Sequence, residues 1–279
     1  MQQLIDIIHK DSNTYFKLYN NIYSDYEIKT GDYINVNILP IKKCVGTIDL
    51  VTNRYSPCPY NSNVNKYNTC YSCSKANDFF KCLICHGDSC KNDNHNSRNY
   101  CNDIHYVYLA IYDQNKIKVG TCHEKRKKER LIEQGIIAAL YVSKQKSGKM
   151  ARFVESKIHN EFNIPYQINN TYKINNITEI SDYNTSYYKL KEMYKLLIEQ
   201  LSEYINYNEF LFLNNVYDSV LKLKNLSEKY SINLSNNYDK IEGQIVAIRG
   251  NLIAVKKEKN IDIINVQKYI GHFIEREEL

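Results

Sequence analysis

No stretch of this chain is apolar for long enough to cross a bilayer, which sets aside the helical membrane class. Residues 1–40 carry no secretory charged-then-apolar leader, because Lys10, Asp11 and Ser12 interrupt the run early, so a cytoplasmic protein is expected. No heptad is sustained, which argues against a coiled coil. No recognition-helix motif for duplex DNA is present either. Proline and glycine are scarce, at 4 and 9, beside abundant Asn, Lys, Ile and Tyr. That imbalance reads as genome bias and says nothing of function.

What is present is enough apolar material for real cores: 43% hydrophobic residues and 12% aromatic in 279, a length that suggests two or three domains. The net charge of +6 fits a polyanionic partner without demanding one. Much of it lies in one run, HEKRKKER, from His123 to Arg130. A solvated helix face is the plain alternative, since Glu124 and Glu129 are interspersed.

Eight of the nine cysteines fall between Cys44 and Cys101, with Cys122 apart. Cys70 and Cys73, and then Cys82 and Cys85, form two C-x-x-C knuckles, the spacing that lets two thiolates reach one tetrahedral Zn²⁺. The segment is poor in aliphatic residues and rich in Asn and Ser, so it needs a staple to fold. Disulfides are the competing staple and fit a reducing compartment badly. One ribbon could take Cys70, Cys73, Cys82 and Cys85. Two zinc ions would use more of the set: Cys44, Cys58, Cys70 and Cys73 on one, and Cys82, Cys85, Cys90 and Cys101 on the other. His86, His95 and His105 are candidate substitutes.

From Val107 to Glu155 the pattern reads as a β-rich hairpin turning at Gln114-Asn115, a charged helix over 124–134 closed by Gly135, a strand over 136–144, and a helix from about Lys149 to Phe162. That β-β-α-β-α order resembles the GIY-YIG nuclease core. Val107-Tyr108 stands at the Ile-Tyr of its first motif and Lys118-Val119-Gly120 at its Tyr-Ile-Gly, with Lys118 in place of the tyrosine. The resemblance implies a catalytic arginine at Arg126 or Arg130 and a metal-binding glutamate at Glu155. The wider order CVGTIDL, SPCPY, CYSC, CLIC, GDSC, then HYVYLA, KVG and ERLIEQG resembles an uncharacterised prokaryotic family that joins a zinc-binding segment to such a core.

The chemistry this constellation would serve is phosphodiester cleavage, which needs an activated nucleophile, positive charge on the phosphate and a hard divalent ion. Tyr108 would orient or deprotonate a water, Arg126 or Arg130 would fork onto phosphate oxygens, Lys118 would add charge, and Glu155 would hold Mg²⁺. Each has a plain alternative: a strand tyrosine among 26, a solvated helix face, and a local pair of Glu155 with Lys157 or Arg152.

Elsewhere the signals are coarser. Residues 1 to about 40 suggest a short helical start and the strand YINVNIL. An Asn-rich linker spans 166–178, and two helices are expected, one capped at Ser181 or Asp182 and running to about Ile205, one over 209–229. Residues 240–275 turn to β character, with a hairpin at Gly250-Asn251, as in a small barrel or curled sheet. Arg249, Lys256, Lys257 and Tyr269 could face a ligand there. Tyr60, Tyr67, Tyr71, Phe79 and Phe80 could stack on bases.

The expectation is an α+β protein with an N-terminal cysteine-rich segment (1–104), a GIY-YIG-like core (105–165), a helical segment (180–235) and a β-rich C-terminal segment (236–279). Its expected partner is nucleic acid, RNA slightly ahead of DNA. An active Mg²⁺-dependent endonuclease and a zinc-stabilised interaction scaffold are the alternatives.

Overall fold

A computed structural model describes all residues except 50, 51, 53, 78–81, 83, 84, 89, 91–94, 235–237, 278 and 279, and excludes the side chains of 95–98 as well. Four strands open the chain: β1 (Gln2–Lys10), β2 (Asn13–Asn20), β3 (Ile22–Ile28) and β4 (Tyr33–Lys42). The expected helical start is a strand. The sequence misleads there because Leu4, Ile5 and Ile7 are all buried, a spacing that simple strand alternation does not give. Where β1 pairs with β2, Leu4 faces Leu18 and Asp6 faces Lys17, so Ile5 is an extra bulged residue that breaks the period of two.

The cysteine-rich stretch holds a short hairpin, β5 (Thr47–Asp49) and β6 (Arg54–Ser56), then α1 (Tyr71–Ala76) and α2 (His95–Asn102). Next come β7 (His105–Asp113), β8 (Lys116–His123), a 3₁₀ turn at Glu124–Arg126, α3 (Lys127–Glu133), β9 (Ala138–Gln145) and α4 (Gly148–Phe162). This is the expected β-β-α-β-α order. The hairpin turn is held by Asp113, whose carboxylate accepts from the N–H groups of Asn115 and Lys116. Gly135 follows α3 at φ +71°, the left-handed stop that glycine takes most easily. Ser147 caps α4 by accepting from the Met150 N–H at 3.2 Å.

Two expectations for the middle of the chain need correction. The Asn-rich linker contains a helix, α5 (Asn170–Asn175), whose cap is one of those asparagines, Asn169. After α6 (Tyr183–Leu201), capped by Asp182, residues 209–212 are not helical but form β10 (Glu209–Phe212). That strand adds to the edge of a four-stranded sheet ordered β10-β9-β7-β8, with Phe210 opposite Leu140. Edge pairing overrides helical preference in so short a segment. A 3₁₀ turn then leads into α7 (Asp218–Ser227) and β11 (Ser231–Asn233).

The chain closes with β12 (Lys240–Arg249), β13 (Leu252–Lys256), β14 (Asn260–Asn265) and β15 (His272–Arg276). These strands do not stand alone. They join the first four in one nine-stranded sheet ordered β11-β14-β13-β12-β4-β15-β1-β2-β3. Leu4, Phe16, Leu18, Ile34, Val36, Ile245, Ile253, Val255 and Ile274 form one buried cluster contributed by this sheet and the turn after β14. Among the described residues, no α-helix contributes a buried side chain to this cluster, so the sheet curls on itself to bury it. The larger core lies around the four-stranded sheet.

Arg249 ties the two sheets together. It is 1% exposed; its guanidinium donates to the carbonyls of Gly135, Ile177, Glu179 and Tyr112 and stacks 3.6 Å over the Tyr112 ring. The expected ligand-facing role of Arg249 is therefore replaced by a structural one. Tyr269 is likewise buried, its hydroxyl accepting from the Tyr238 N–H, while Lys257 pairs with Asp262 at 2.9 Å and Lys256 sits over Tyr230.

Candidate functional site

Cys44 follows β4, Cys58 follows β6, and Cys70 and Cys73 flank the first turn of α1, so three separate pieces of chain deliver four thiols to one place. Their sulfurs all lie within 4.8 Å of one another, with 3.9 Å between Cys58 and Cys70. Backbone donors point at them: the Cys70 and Gly46 N–H groups reach Cys44 Sγ at 3.1 and 3.4 Å, and the Cys73 N–H reaches Cys70 Sγ at 3.5 Å. Such donors favour thiolate. Burial works to raise the Cys58 thiol, but the N–H groups of Ser62 and Tyr60 and the facing thiols of Cys44 and Cys73 outweigh it and hold Cys58 down at about 6. Four sulfurs at this spacing, half of them buried and several already hydrogen-bonded from the backbone, suit one tetrahedral metal ion.

Cys82, Cys85, Cys90 and Cys101 form no such tight group among the described residues. Burial raises the Cys101 thiol, and Cys82 and Cys90 lie near enough to add to the effect. Of the residues expected to stack on bases, Tyr60, Tyr67 and Tyr71 are exposed, whereas Phe79 and Phe80 lie outside the described residues. The side chain of His95 lies outside them too. His105 is buried, with Nδ1 3.0 Å from the Asp103 carbonyl, and burial lowers it to about 4.

Tyr108, Lys118, Arg126, Arg130 and Glu155 all line one cleft of about 1200 Å³. Its floor is the hairpin of β7 and β8, where Tyr108 lies directly opposite Gly120. Gln134, just past α3, organises the floor: its Oε1 accepts from the Lys118 ammonium at 3.0 Å and its Nε2 lies 3.2 Å from the Tyr108 hydroxyl. Arg126 and Arg130 share one carboxylate, Glu133, on the same helical turn region. Glu155 does not pair with Lys157, which instead reaches Glu161 at 4.0 Å.

The electrostatics follow from burial. Lys118 is 7% exposed, and burial, reinforced by Arg130, lowers its ammonium to about 7 while Glu155 pulls the other way. Burial raises Glu155, opposed by Lys118, Arg152, Arg130 and His86. Tyr108 is held well above the ordinary tyrosine range by burial, so it keeps its proton at neutral pH. Burial thus brings the Lys118 ammonium into the range where it exchanges a proton near neutrality.

Several cleft residues escaped sequence reasoning. Asp6 of β1, raised to about 6 by burial, accepts from the Tyr55 hydroxyl at 3.0 Å on the wall facing α3. Lys173 of α5 donates to the Gln134 carbonyl at 2.9 Å and is lowered to about 8 by burial. Nothing local marks either residue, because a strand and a helix far apart in sequence bring them in. Arg152 was within reach of sequence reasoning, since it stands one helical turn before Glu155 on α4 and also lines the cleft.

Among the described residues, no helix is long and apolar enough to cross a membrane. No curated protein and no solved structure matches this chain. One family model covers residues 31–274, which is most of the curled sheet, the cysteine cluster and the whole cleft-bearing core. The chain therefore belongs to the family described as protein of unknown function (DUF2797).

Proposed function

We propose that this is a zinc-containing nucleic-acid-binding protein whose cleft grips a phosphate of the backbone, with RNA ahead of DNA. The observation that supports it is the convergence, at one cleft, of Lys118, Arg126, Arg130, Arg152 and Lys173 with Glu155 and the buried Tyr108. The cleft is lined by nine lysines and arginines against six carboxylates, and Glu133 is shared by Arg126 and Arg130, so an excess of positive charge remains for an anion. A phosphate supplies that anion, and arginine forks match its oxygens. The GIY-YIG-like reading of the β-β-α-β-α core belongs to the same proposal. The zinc ion would sit on Cys44, Cys58, Cys70 and Cys73, holding together a segment that is poor in aliphatic side chains. A second ion on Cys82, Cys85, Cys90 and Cys101 is part of the proposal, tested by metal content.

Catalytic turnover is the second reading, and the Glu155–Lys118–Tyr108 grouping favours it. Glu155 is the carboxylate that would hold Mg²⁺, substrate phosphates supplying further oxygens. Lys118 would take a proton, and Tyr108, keeping its own, would orient the attacking water.

The test uses purified protein with its metal content measured, offered single-stranded RNA, tRNA and duplex DNA with Mg²⁺, bound and cut species being resolved on one gel. Affinity that falls as salt rises supports the binding proposal. Cleavage that Glu155→Gln abolishes adds turnover. Zinc without salt-dependent affinity for any nucleic acid overturns the proposal and leaves an interaction scaffold.

A further inference from the structure

The cleft has walls as well as a floor. On one side β1 lies against α3, the helix that carries Arg130: Lys128 donates to Ser12 Oγ at 3.2 Å beyond the end of β1, and Asp6 and His9 line the cleft. Tyr55 of β6 stands on the same side, hydrogen-bonded to Asp6. A second wall is the turn between β12 and β13. Gly250, at φ +57°, sits so close to the end of α3 that a Cβ there would come within 2.8 Å of the Glu133 carbonyl and the Gly135 nitrogen. Arg249 fastens that turn by donating to the Gly135 carbonyl at 3.1 Å. Opposite, His86 lies near enough to Glu155 to influence it and packs against Tyr166, which is stacked on His159 at 4.0 Å.

Of the groups that would meet a phosphate, Tyr108 and Lys118 lie deepest, below these walls, whereas the side chains of Arg126 and Arg130 are 40% and 45% exposed. Tyr108 is 1% exposed and Lys118 7%. At about 1200 Å³ the cleft is only slightly larger than the roughly 300–1,000 Å³ of ordinary small-molecule sites. A duplex carries its phosphates on a stiff, wide cylinder and cannot bring one to such a floor without the walls moving. An unpaired strand can, because its backbone bends and its bases splay sideways onto aromatic faces. Tyr55, Tyr100 and Tyr166 line the cleft around the cations.

We infer that the ligand of this cleft is a single-stranded segment of nucleic acid, and that paired duplex is excluded by the wall that β1 and the β12–β13 turn build against α3. This rests on the cleft being a phosphate site for nucleic acid. It goes further by naming the strandedness that the enclosure selects.

The experiment uses the full chain with its metal and the Glu155→Gln substitution, so that no turnover confuses binding. Fluorescence anisotropy compares a twelve-nucleotide oligoribonucleotide, the same sequence as DNA, and the blunt duplex of each, at one fixed salt concentration. The expected result is at least about tenfold tighter binding of the single strands than of either duplex, about 1.4 kcal/mol. In the unsubstituted protein, any cut in a hairpin with a single-stranded tail is expected to fall in the tail. Equal or tighter duplex binding overturns the single-strand inference while leaving the phosphate site standing. Failure of all four probes to bind overturns both.

Discussion

The ring of Tyr108 lies over Gly120 on the neighbouring strand, and it fills the space that any other residue at 120 would need. A Cβ there would stand 2.5 Å from both Cζ and the hydroxyl oxygen of Tyr108. The hairpin therefore sets the position of the tyrosine through an absent side chain.

Gly120→Ala is expected to push Tyr108 off the cleft floor, lower stability by about 1–3 kcal/mol and weaken oligonucleotide binding. In a double-mutant cycle with Tyr108→Ala the penalty should largely vanish, because the clashing ring is gone. Urea melts of the four proteins check this, and additive losses would show that the two residues do not act on each other.

If Cys44, Cys58, Cys70 and Cys73 hold the proposed zinc, Cys73→Ser is expected to remove it and to lower the melting temperature, since metal held by thiolates couples binding to folding. Zinc content by mass spectrometry of the metal is the readout. Retention of the full content in this variant would exclude the cluster. Cys101→Ser reports separately on the second cysteine set. Zinc affinity should fall on acidification, because each ligand must shed its proton.

Burial of Lys118 gives a pH signature. In the unfolded chain the ammonium holds its proton to about 10.5, whereas in the folded protein it releases it at about 7. Between those values the unfolded state binds more protons, so the contribution of this site to stability rises with pH. Below 7 both states are charged and the full cost of burying the ammonium remains. Lys118→Met should therefore raise the melting temperature by several degrees at pH 6 and by much less at pH 10. Equal gains at both pH values would show that the side chain is not held charged below 7 in a buried site.

Arg249→Met leaves the carbonyls of Ile177, Glu179, Gly135 and Tyr112 without their shared donor. The expected loss is about 3 kcal/mol or more. Arg249→Lys should recover little of it, because one ammonium cannot reach carbonyls spread around a planar fork. Chemical denaturation decides the matter, and a near-neutral Arg249→Lys would mean the guanidinium is not the link between the two sheets.

The core was legible because its signals are local. Gln114-Asn115 announced the hairpin and Gly135 the end of α3, each within a few residues of the feature it controls. The large sheet was not legible, since nothing near Ile34 says that Gly243 will lie opposite it. The bulge at Ile5 made β1 look helical, and Phe210 became a strand only because Leu140 offered an edge. In the cleft, residues carrying chemical character in their own motif could be named. Gln134, Asp6 and Lys173 could not, as their roles come from what the fold places beside them.

The two sheets differ in how far along the chain their partners lie, and this sets an order of events during synthesis. The strands β7, β8 and β9 can pair as soon as they emerge, because their neighbours in space are neighbours in sequence. The strand β4 must wait for β12 and β15, and β1 for β15. Until those strands leave the ribosome, the strands of residues 2–42 expose open edges that can pair with other chains. The large sheet, and with it the wall over the cleft, is thus the last part to assemble and the part most in need of protection while the chain grows.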